Sequence, residues 1–281
     1  IAKTIPAQHD LPDITVSIPM LPIQLDFFAQ VIPRREHWNQ AVLLKSRQPL
    51  PAMWLDQALK AVVQHHNVLH FCYREQTHGQ WQQMAAESNM QAVLWVRQAA
   101  DAEQLLALCN DAQRSLNLQQ GSLLRAMLVD MADQTQRLLL VAHHLVIDGV
   151  SWRILIEDLE IAYHQAKNHE TINLPEVTTG YPVWTRRLQQ YSDCHAVEFA
   201  YWQSQVNVAV SLPCDFPKGS NSTFNHTRIT AKLDQAQTQA LLTDAPAAYR
   251  TQVNDLLLAA LGSALCQWSG HQKILVDLEG H

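Results

Sequence analysis

Apolar and polar residues along the chain alternate with the periods of strands and helices. The elements expected in the first part are, in order, a strand at 39–44, a helix at 51–65, strands at 69–74, 80–84 and 92–97, and a helix at 101–115. Leu55, Leu59 and Val62 form one stripe of the first helix, and Asp101 is expected to cap the second. Residues 1–20 carry three prolines among polar positions and are expected to form a linker.

A longer apolar run marks the centre of the predicted fold. Strands are predicted at 123–130 and 137–142, and the second contains five consecutive apolar residues. Such an unbroken run suits a central strand that is buried on both faces. A loop and a helix at 152–167 follow, and Ser151 is expected to cap that helix.

Beyond residue 174 the pattern indicates a second unit. Residues 173–182 combine two prolines with a glycine and are interpreted as the boundary. The elements expected after it are helices at 184–191, 196–206 and 251–269, the last ended by Gly270, and strands at 226–233 and 273–278. Mixed strands and helices around an apolar central strand predict an α/β sandwich.

Composition and charge argue against several classes of function. The net charge is −6 and the charged residues are scattered, whereas nucleic-acid binding needs a concentrated basic face. No stretch reaches the roughly 18 apolar residues of a membrane helix, and residues 1–13 lack the apolar core of a signal peptide. The five cysteines are dispersed without a C-x-x-C pair, which is typical of a reducing compartment. We therefore expect a cytoplasmic protein without nucleic-acid or membrane partners.

The loop after the central strand is the most informative segment. Residues 143–152 read H-H-L-V-I-D-G-V-S-W, so two imidazoles stand at a strand end, before a turn signal and a helix start. Adjacent side chains of an extended chain point to opposite faces, so at most one of His143 and His144 faces a given cavity. An imidazole suits proton transfer near neutral pH because its unperturbed pKa is about 6.5. Gly149 allows a turn conformation that other residues resist.

Other interpretations of this loop stay open on the residues alone. A histidine on a strand is most often structural, and an aspartate before a glycine is most often a turn residue. His143, His144 and Asp148 are also conceivable metal ligands. Neighbouring histidines on opposite faces bind one ion poorly, however, and no H-E-x-x-H or Cys/His cluster supports them. No metal site is predicted.

The pattern H-H-x-x-x-D-G at 143–149 resembles the signature of the condensation-domain superfamily of non-ribosomal peptide synthetases. Further stretches that resemble this family are L-P-I-Q at 21–24 with Phe27 and Phe28, H-W-N-Q at 37–40, and G-S-L-L-R at 121–125. In the last of these, Ser122 replaces the proline of the family pattern. The resemblance extends from about residue 18 to residue 281 and implies a fold similar to chloramphenicol acetyltransferase.

Within the superfamily, the chain is most similar to the epimerization domains. The helix entry D-G-V-S-W-R-I-L at 148–155 is typical of that branch, and so is Y-R-T-Q-V-N-D-L-L-L-A-A-L at 249–261. The last residues, E-G-H at 279–281, resemble the first half of the branch's E-G-H-G-R-E strand end.

The resemblance implies two acetyltransferase-like lobes that meet in a V. Residues 1–20 would be a linker from a preceding carrier domain, 21–174 the complete N-terminal lobe, and 175–281 part of the C-terminal lobe. The phosphopantetheine arm of a partner peptidyl carrier domain would reach His144 through a tunnel between the lobes, without a directly bound cofactor or metal. Because the second lobe would be only begun, residues 1–281 alone are expected to have little activity.

The resemblance also assigns a reaction and its residues. The reaction is inversion, from L to D, of the α-carbon of an aminoacyl or peptidyl thioester during peptide synthesis. His144 is one acid/base and Glu279 is the other, although Glu279 on its own would pass for a solvated surface carboxylate. Asp148 holds the loop through a salt bridge, with Arg125 as its suggested partner. The other supporting residues are His143, Gly149 and Ser151.

Two competing functions remain at this point. A condensing or acyl-transferring enzyme would use His144 to help an amine attack a thioester, and it would need a second, acceptor carrier. A non-catalytic binding module would keep the loop for structural reasons, so loss of the His144 ring would not change the activity of the parent synthetase.

Overall fold

The computed structural model describes residues 17–76, 79–86, 93–177, 179–206, 211–220 and 222–278. The chain forms two compact units, of which the first ends at Tyr191 and the second begins at Ser192. The predicted division at residue 174 concerns the lobes of the family and stays a prediction. Within the described ranges, every strand and every buried residue belongs to the first unit.

The strands of the first unit form two sheets. They are β1 (Ser17–Ile18), β2 (Asn39–Lys45), β3 (Phe71–Glu75), β4 (Trp81–Ala85), β5 (Leu94–Ala99), β6 (Leu124–Met131) and β7 (Gln136–His143). The main sheet has the order β2-β7-β6-β5, and the smaller sheet has the order β1-β4-β3. In the main sheet β7 is antiparallel to both of its neighbours, whereas β5 runs parallel to β6.

The prediction of a central strand is confirmed by β7. It lies between β2 and β6, and residues 138–143 are all buried. Side chains alternate between the faces of a strand, so Leu138 and Leu140 join one core cluster while Leu139 and Val141 join the other. The main sheet is therefore covered on both faces.

Helices cover both faces of the main sheet. The helices are α1 (Pro22–Ala29), α2 (Ala52–His65), α3 (Ala102–Arg114), α4 (Gly149–Lys167), α5 (Tyr181–Cys194), α6 (Val197–Val206), α7 (Gln235–Gln239), α8 (Ala245–Tyr249) and α9 (Val253–Ser269). α2 and α4 pack together in the larger cluster through residues such as Leu59 and Leu155, and α3 contributes Cys109 and Ala112 to the smaller one. The predicted α/β sandwich is confirmed.

The other elements predicted before residue 170 are also confirmed, with bounds that differ by a few residues. Asp101 caps α3 as expected, because its Oδ1 accepts a hydrogen bond from Gln104 N–H at 2.9 Å. Residues 1–16 of the predicted linker lie outside the described residues. The next two, Ser17 and Ile18, pair as β1 with Met84 and Gln83 of β4.

The sequence pattern did not reveal α1. Its buried side chains are Gln24, Phe27 and Phe28, which follow helical spacing, and Pro22 stands in its first turn. The buried glutamine interrupts the apolar stripe that periodicity detects. Gln24 is satisfied in the core, because Tyr181 Oη donates to its Oε1 at 2.8 Å and its Nε2 donates to Tyr73 Oη at 3.1 Å.

The prediction of two strands in the second unit is wrong. Residues 226–233 and 273–278 contain no strand. A strand requires a neighbour that shares its backbone hydrogen bonds, and no ladder forms among the described residues of this unit. A helix makes its hydrogen bonds internally, and the predicted helices are confirmed as α5, α6 and α9. Gly270 ends α9 as predicted, with φ at 72°.

The described side chains of the second unit lie largely in solvent. Large apolar residues such as Phe216 and Phe224 are 81% and 94% exposed. None of the described helices in either unit is long and apolar enough to cross a membrane.

Candidate active site at the His-His loop

Strand β7 carries two histidines to the end of the main sheet. His143 is the last residue of β7, and residues 144–148 form the loop before α4. His143 N–H donates to Leu123 O at 2.9 Å, and His144 N–H donates to Trp38 O at 2.9 Å. The backbone of both histidines is thereby held by the chain next to the neighbouring strands β6 and β2, which gives the start of the loop a fixed position.

His143 is a fully buried member of the core. Its Nε2 donates to Arg35 O at 2.8 Å, and its Nδ1 accepts a hydrogen bond from Leu145 N–H at 3.1 Å. Burial is the largest effect on this ring and lowers the pKa of His143 to about 4. At neutral pH the ring is therefore uncharged, and the protein backbone occupies both of its nitrogens.

His144 lies in a different environment although it is the next residue. Its ring is half-buried, and its Nδ1 donates to Ile147 O at 2.8 Å. Its other nitrogen, Nε2, lies 3.3 Å from the side-chain nitrogen of Gln40, whose Oε1 accepts a hydrogen bond from Trp152 Nε1–H at 2.8 Å. Of the two loop histidines, His144 is the one with a ring nitrogen, Nε2, that faces a side chain. Both ring nitrogens of His143 are bound to the backbone. In the sequence, Gln40 stood out only within a family pattern and Trp152 as the first residue of the predicted helix at 152–167, and no spacing rule linked either residue to His144.

The predicted cap of α4 is wrong. Asp148, and not Ser151, is the N-cap, because Ser151 is already inside the helix. Asp148 Oδ1 accepts hydrogen bonds from Val150 N–H at 3.0 Å, Ser151 N–H at 2.7 Å and Ser151 Oγ–H at 2.7 Å. A carboxylate at a helix start also meets the positive end of the helix dipole, which favours aspartate over serine here.

Gly149 does not use the turn conformation that a glycine allows. It is the first residue of α4, and it is not among the described glycines with positive φ, which are Gly79, Gly121 and Gly270. No heavy atom lies within 4 Å of the position that a Cβ of residue 149 would take. The turn residues of the loop are 144–146, before the glycine.

Arg125 lies in the core that α3 covers. Its Nε donates to Ser115 Oγ at 3.0 Å, and its guanidinium lies 4.7 Å from the centre of the Trp95 ring. Burial lowers the pKa of Arg125. These contacts pack the side chain of Arg125, a residue of β6, on the face of the sheet that α3 covers, and the salt bridge suggested between Arg125 and Asp148 stays a prediction.

The predicted second acid/base, Glu279, lies outside the described residues, as do Gly280 and His281. Its assigned role stays a prediction.

One cluster in the described ranges has three potential metal ligands, His65, His66 and Asp158, whose ligand atoms lie within 4.8 Å of one another. His66 Nε2 donates to Asp158 Oδ2 at 2.7 Å, which ties the end of α2 to α4. Two ligand atoms on a tetrahedral ion lie about 3.4 Å apart. His66 Nε2 and Asp158 Oδ2, at 2.7 Å, are closer than that and bond directly to each other. The cluster lines a cavity of about 350 Å³ together with Val146 and Ile147 of the loop.

The chain matches the family model described as Condensation domain over residues 15–281. The chain belongs to the condensation-domain family. This assignment agrees with the H-H-x-x-x-D-G loop and with the α/β fold that positions it.

Curated relatives of this condensation-family chain belong to peptide synthetases. One subunit of the linear gramicidin synthase of Brevibacillus parabrevis is 39% identical over 279 residues, and tyrocidine synthase 2 of the same organism is 35% identical over 272 residues. The matches cover 96% and 94% of this chain but only 5% and 8% of the two relatives. The chain thus spans a small part of the length of these relatives.

Solved structures of the family share the fold. The epimerization domain from the third module of tyrocidine synthetase B is 34% identical, with a TM-score of 0.81 over 90% of this chain and 60% of that one. The condensation domain of the Monacolin K polyketide synthase MokA is 16% identical, with a TM-score of 0.69 over 91% of this chain and 60% of that one. The second likeness concerns the fold alone, and both agree with the predicted architecture.

Proposed function

We propose that this condensation-family chain catalyses epimerization of the α-carbon of an aminoacyl or peptidyl thioester, from L to D, in non-ribosomal peptide synthesis. The observation that carries the proposal is the likeness to an epimerization domain, whose sequence identity to this chain is about twice that of the condensation domain with the same fold. The motifs at 148–155 and 249–261 support the same branch.

His144 supplies one proton-transfer group for this reaction. The thioester carbonyl acidifies the α-proton, because the electron pair of the broken C–H bond moves into the carbonyl to form an enolate. When His144 Nε2 takes that proton, a second group returns a proton to the opposite face of the α-carbon, and the carbonyl re-forms. One proton leaves and one arrives, so the substrate changes only in configuration. In the opposite direction the two groups exchange roles.

Glu279 is the second group in this proposal, on the strength of its E-G-H motif. The thioester reaches the site on the phosphopantetheine arm of a peptidyl carrier domain, which makes that carrier the partner of the chain. The other synthetase modules would provide the substrate and consume the product. The arm belongs to the substrate, so the protein residues themselves perform the proton transfers.

The test is an assay of the intact protein with one loaded carrier. We expect loss of α-tritium from the substrate and appearance of the D-product. His144→Gln and Glu279→Gln should each lower the rate about 10²- to 10⁴-fold, the usual contribution of a general acid or base. His164→Gln, at an exposed position of α4, is the matched control and should retain the wild-type rate.

Two outcomes would replace the proposal. Product that forms only when a second, acceptor carrier is added would identify a condensing enzyme. Carrier binding without turnover, together with an unchanged synthetase after His144→Gln, would identify a non-catalytic module.

A further inference from the structure

The side chain of Gln40 lies between the reactive histidine and a buried tryptophan. Gln40 belongs to β2 and is opposite Ala142 of β7, while Trp152 belongs to the first turn of α4 and is 8% exposed. The three side chains form a chain of contacts from Trp152 Nε1 to Gln40 Oε1 at 2.8 Å, and from Gln40 Nε2 to His144 Nε2 at 3.3 Å. Two regular elements therefore hold Gln40 in place next to the loop.

Trp152 determines which way the amide of Gln40 points. An indole N–H can only donate a hydrogen bond, so the amide atom that faces it must be the oxygen. The amide NH₂ group then faces His144 Nε2. A side-chain NH₂ group can only donate, so His144 Nε2 must be the acceptor in this contact.

The other side of the His144 ring meets an equally restricted partner. The Ile147 carbonyl oxygen can only accept, so His144 Nδ1, at 2.8 Å, must carry the proton. The indole at one end and the carbonyl at the other thus require the same neutral tautomer, with the proton on Nδ1 and a lone pair on Nε2. Neither end tolerates the alternative tautomer.

We propose that Gln40, oriented by Trp152, is a positioning residue that keeps the lone pair of His144 on Nε2, ready to take the α-proton of the substrate. This inference rests on the proposed function through the role of His144. The contact of 3.3 Å is at the long end for a hydrogen bond, so an approaching substrate can displace the amide.

Isosteric variants of Gln40 separate this role from simple packing. Gln40→Glu keeps the shape and the acceptor for Trp152 but places a carboxylate oxygen against His144 Nε2, which favours a proton there. Gln40→Leu removes both hydrogen bonds, and Trp152→Phe frees the amide to rotate. Gln98→Glu, at an exposed position of β5, is the matched control for the change of charge.

The measurements are kcat and KM of the intact protein with a loaded carrier, and ¹⁵N NMR of its histidine rings. His144→Gln identifies the signals of His144. We expect wild-type Nδ1 to be protonated and Nε2 to be bare, and we expect Gln40→Glu to protonate Nε2. Its kcat should fall about 100-fold or more, because a ring that is already protonated on Nε2 has no lone pair to take the α-proton, with a smaller change in KM. Gln40→Leu and Trp152→Phe should lower kcat about 10-fold, and the control should match the wild type.

Failure of this inference is distinguishable from failure of the proposed function. A wild-type spectrum with the proton on Nε2 would overturn the positioning role even if every variant misfolded. Wild-type kcat in Gln40→Glu, while His144→Gln is inactive, would also overturn it. If His144→Gln retained the wild-type rate, the proposed function would fail instead.

Discussion

At the scale of single residues, the two adjacent histidines differ through the atoms that surround each ring. His143 is buried, with both nitrogens hydrogen-bonded to the backbone. His144 is half-buried, and its ring nitrogen Nε2 contacts the side chain of Gln40. The neutral state of His143 is favoured by the fold, because its charged form would lose more solvation on burial than the Arg35 carbonyl and the Glu36 carboxylate return.

The buried ring of His143 predicts how stability depends on pH. The ring takes up a proton near pH 6.5 in the unfolded chain and only near pH 4 in the folded protein. Between these values the unfolded state binds more protons, so the free energy of unfolding falls as the pH is lowered from about 6.5 to about 4. The loss attributable to His143 is about 3 kcal/mol.

Urea unfolding at several pH values, for the wild type and His143→Gln, measures this loss. The variant should lack that part of the pH dependence, and the wild type should retain its full stability above pH 6.5. His164→Gln controls for removal of an imidazole at an exposed position. Equal pH dependence in the wild type and His143→Gln would contradict the prediction.

At the scale of elements, the His-His loop depends on the start of α4. One oxygen of Asp148 satisfies two backbone N–H groups and the hydroxyl of Ser151. These donors have no partner inside the helix, so the cap determines where α4 begins. It thereby also determines the position of Trp152, which orients Gln40.

Removal of the Asp148 side chain should therefore destabilise α4. We expect Asp148→Ala to lower the free energy of unfolding by about 1–2 kcal/mol, the usual effect of losing a helix cap. Asp148→Asn keeps an acceptor oxygen and should lose less. Chemical denaturation of the three proteins checks the order, and an equal loss in both variants would indicate that a charge interaction of Asp148, rather than the cap, stabilises the loop.

At the scale of the whole molecule, the two compact units differ in how much apolar surface they bury. The described residues of the first unit include two core clusters, whereas none of those in the second unit is buried. Local opening requires little free energy where few apolar contacts must be broken. The second unit should therefore open more readily than the first.

Timed trypsin digestion of residues 1–281, followed by mass spectrometry, tests this difference. Cleavage at Arg228, Lys232 and Arg250, which are exposed, should precede cleavage at Arg125 and Arg137 in the main sheet. Cuts at Arg125 or Arg137 in the earliest phase would contradict the expectation.

Sequence patterns predicted the elements whose hydrogen bonds are local. Asp101 was recognised as a cap because its partner lies three residues away. The strands proposed at 226–233 and 273–278 were wrong, since alternation of residues does not reveal whether a neighbouring strand is present. The α1 helix was missed because Gln24 finds its partners at Tyr73 and Tyr181, far along the chain.

By itself, the sequence determined the family, the central apolar strand and the pair of histidines at its end, because these depend on residue type, order and short spacing. Only the tertiary structure decided that Asp148 caps α4, that His143 is buried and that Gln40 and Trp152 restrict the tautomer of His144. Gln40 and His144 are 104 residues apart in sequence, and their contact exists because β2 pairs with β7. Hydrogen bonds between such distant residues follow from strand pairing and helix packing, which local periodicity does not encode.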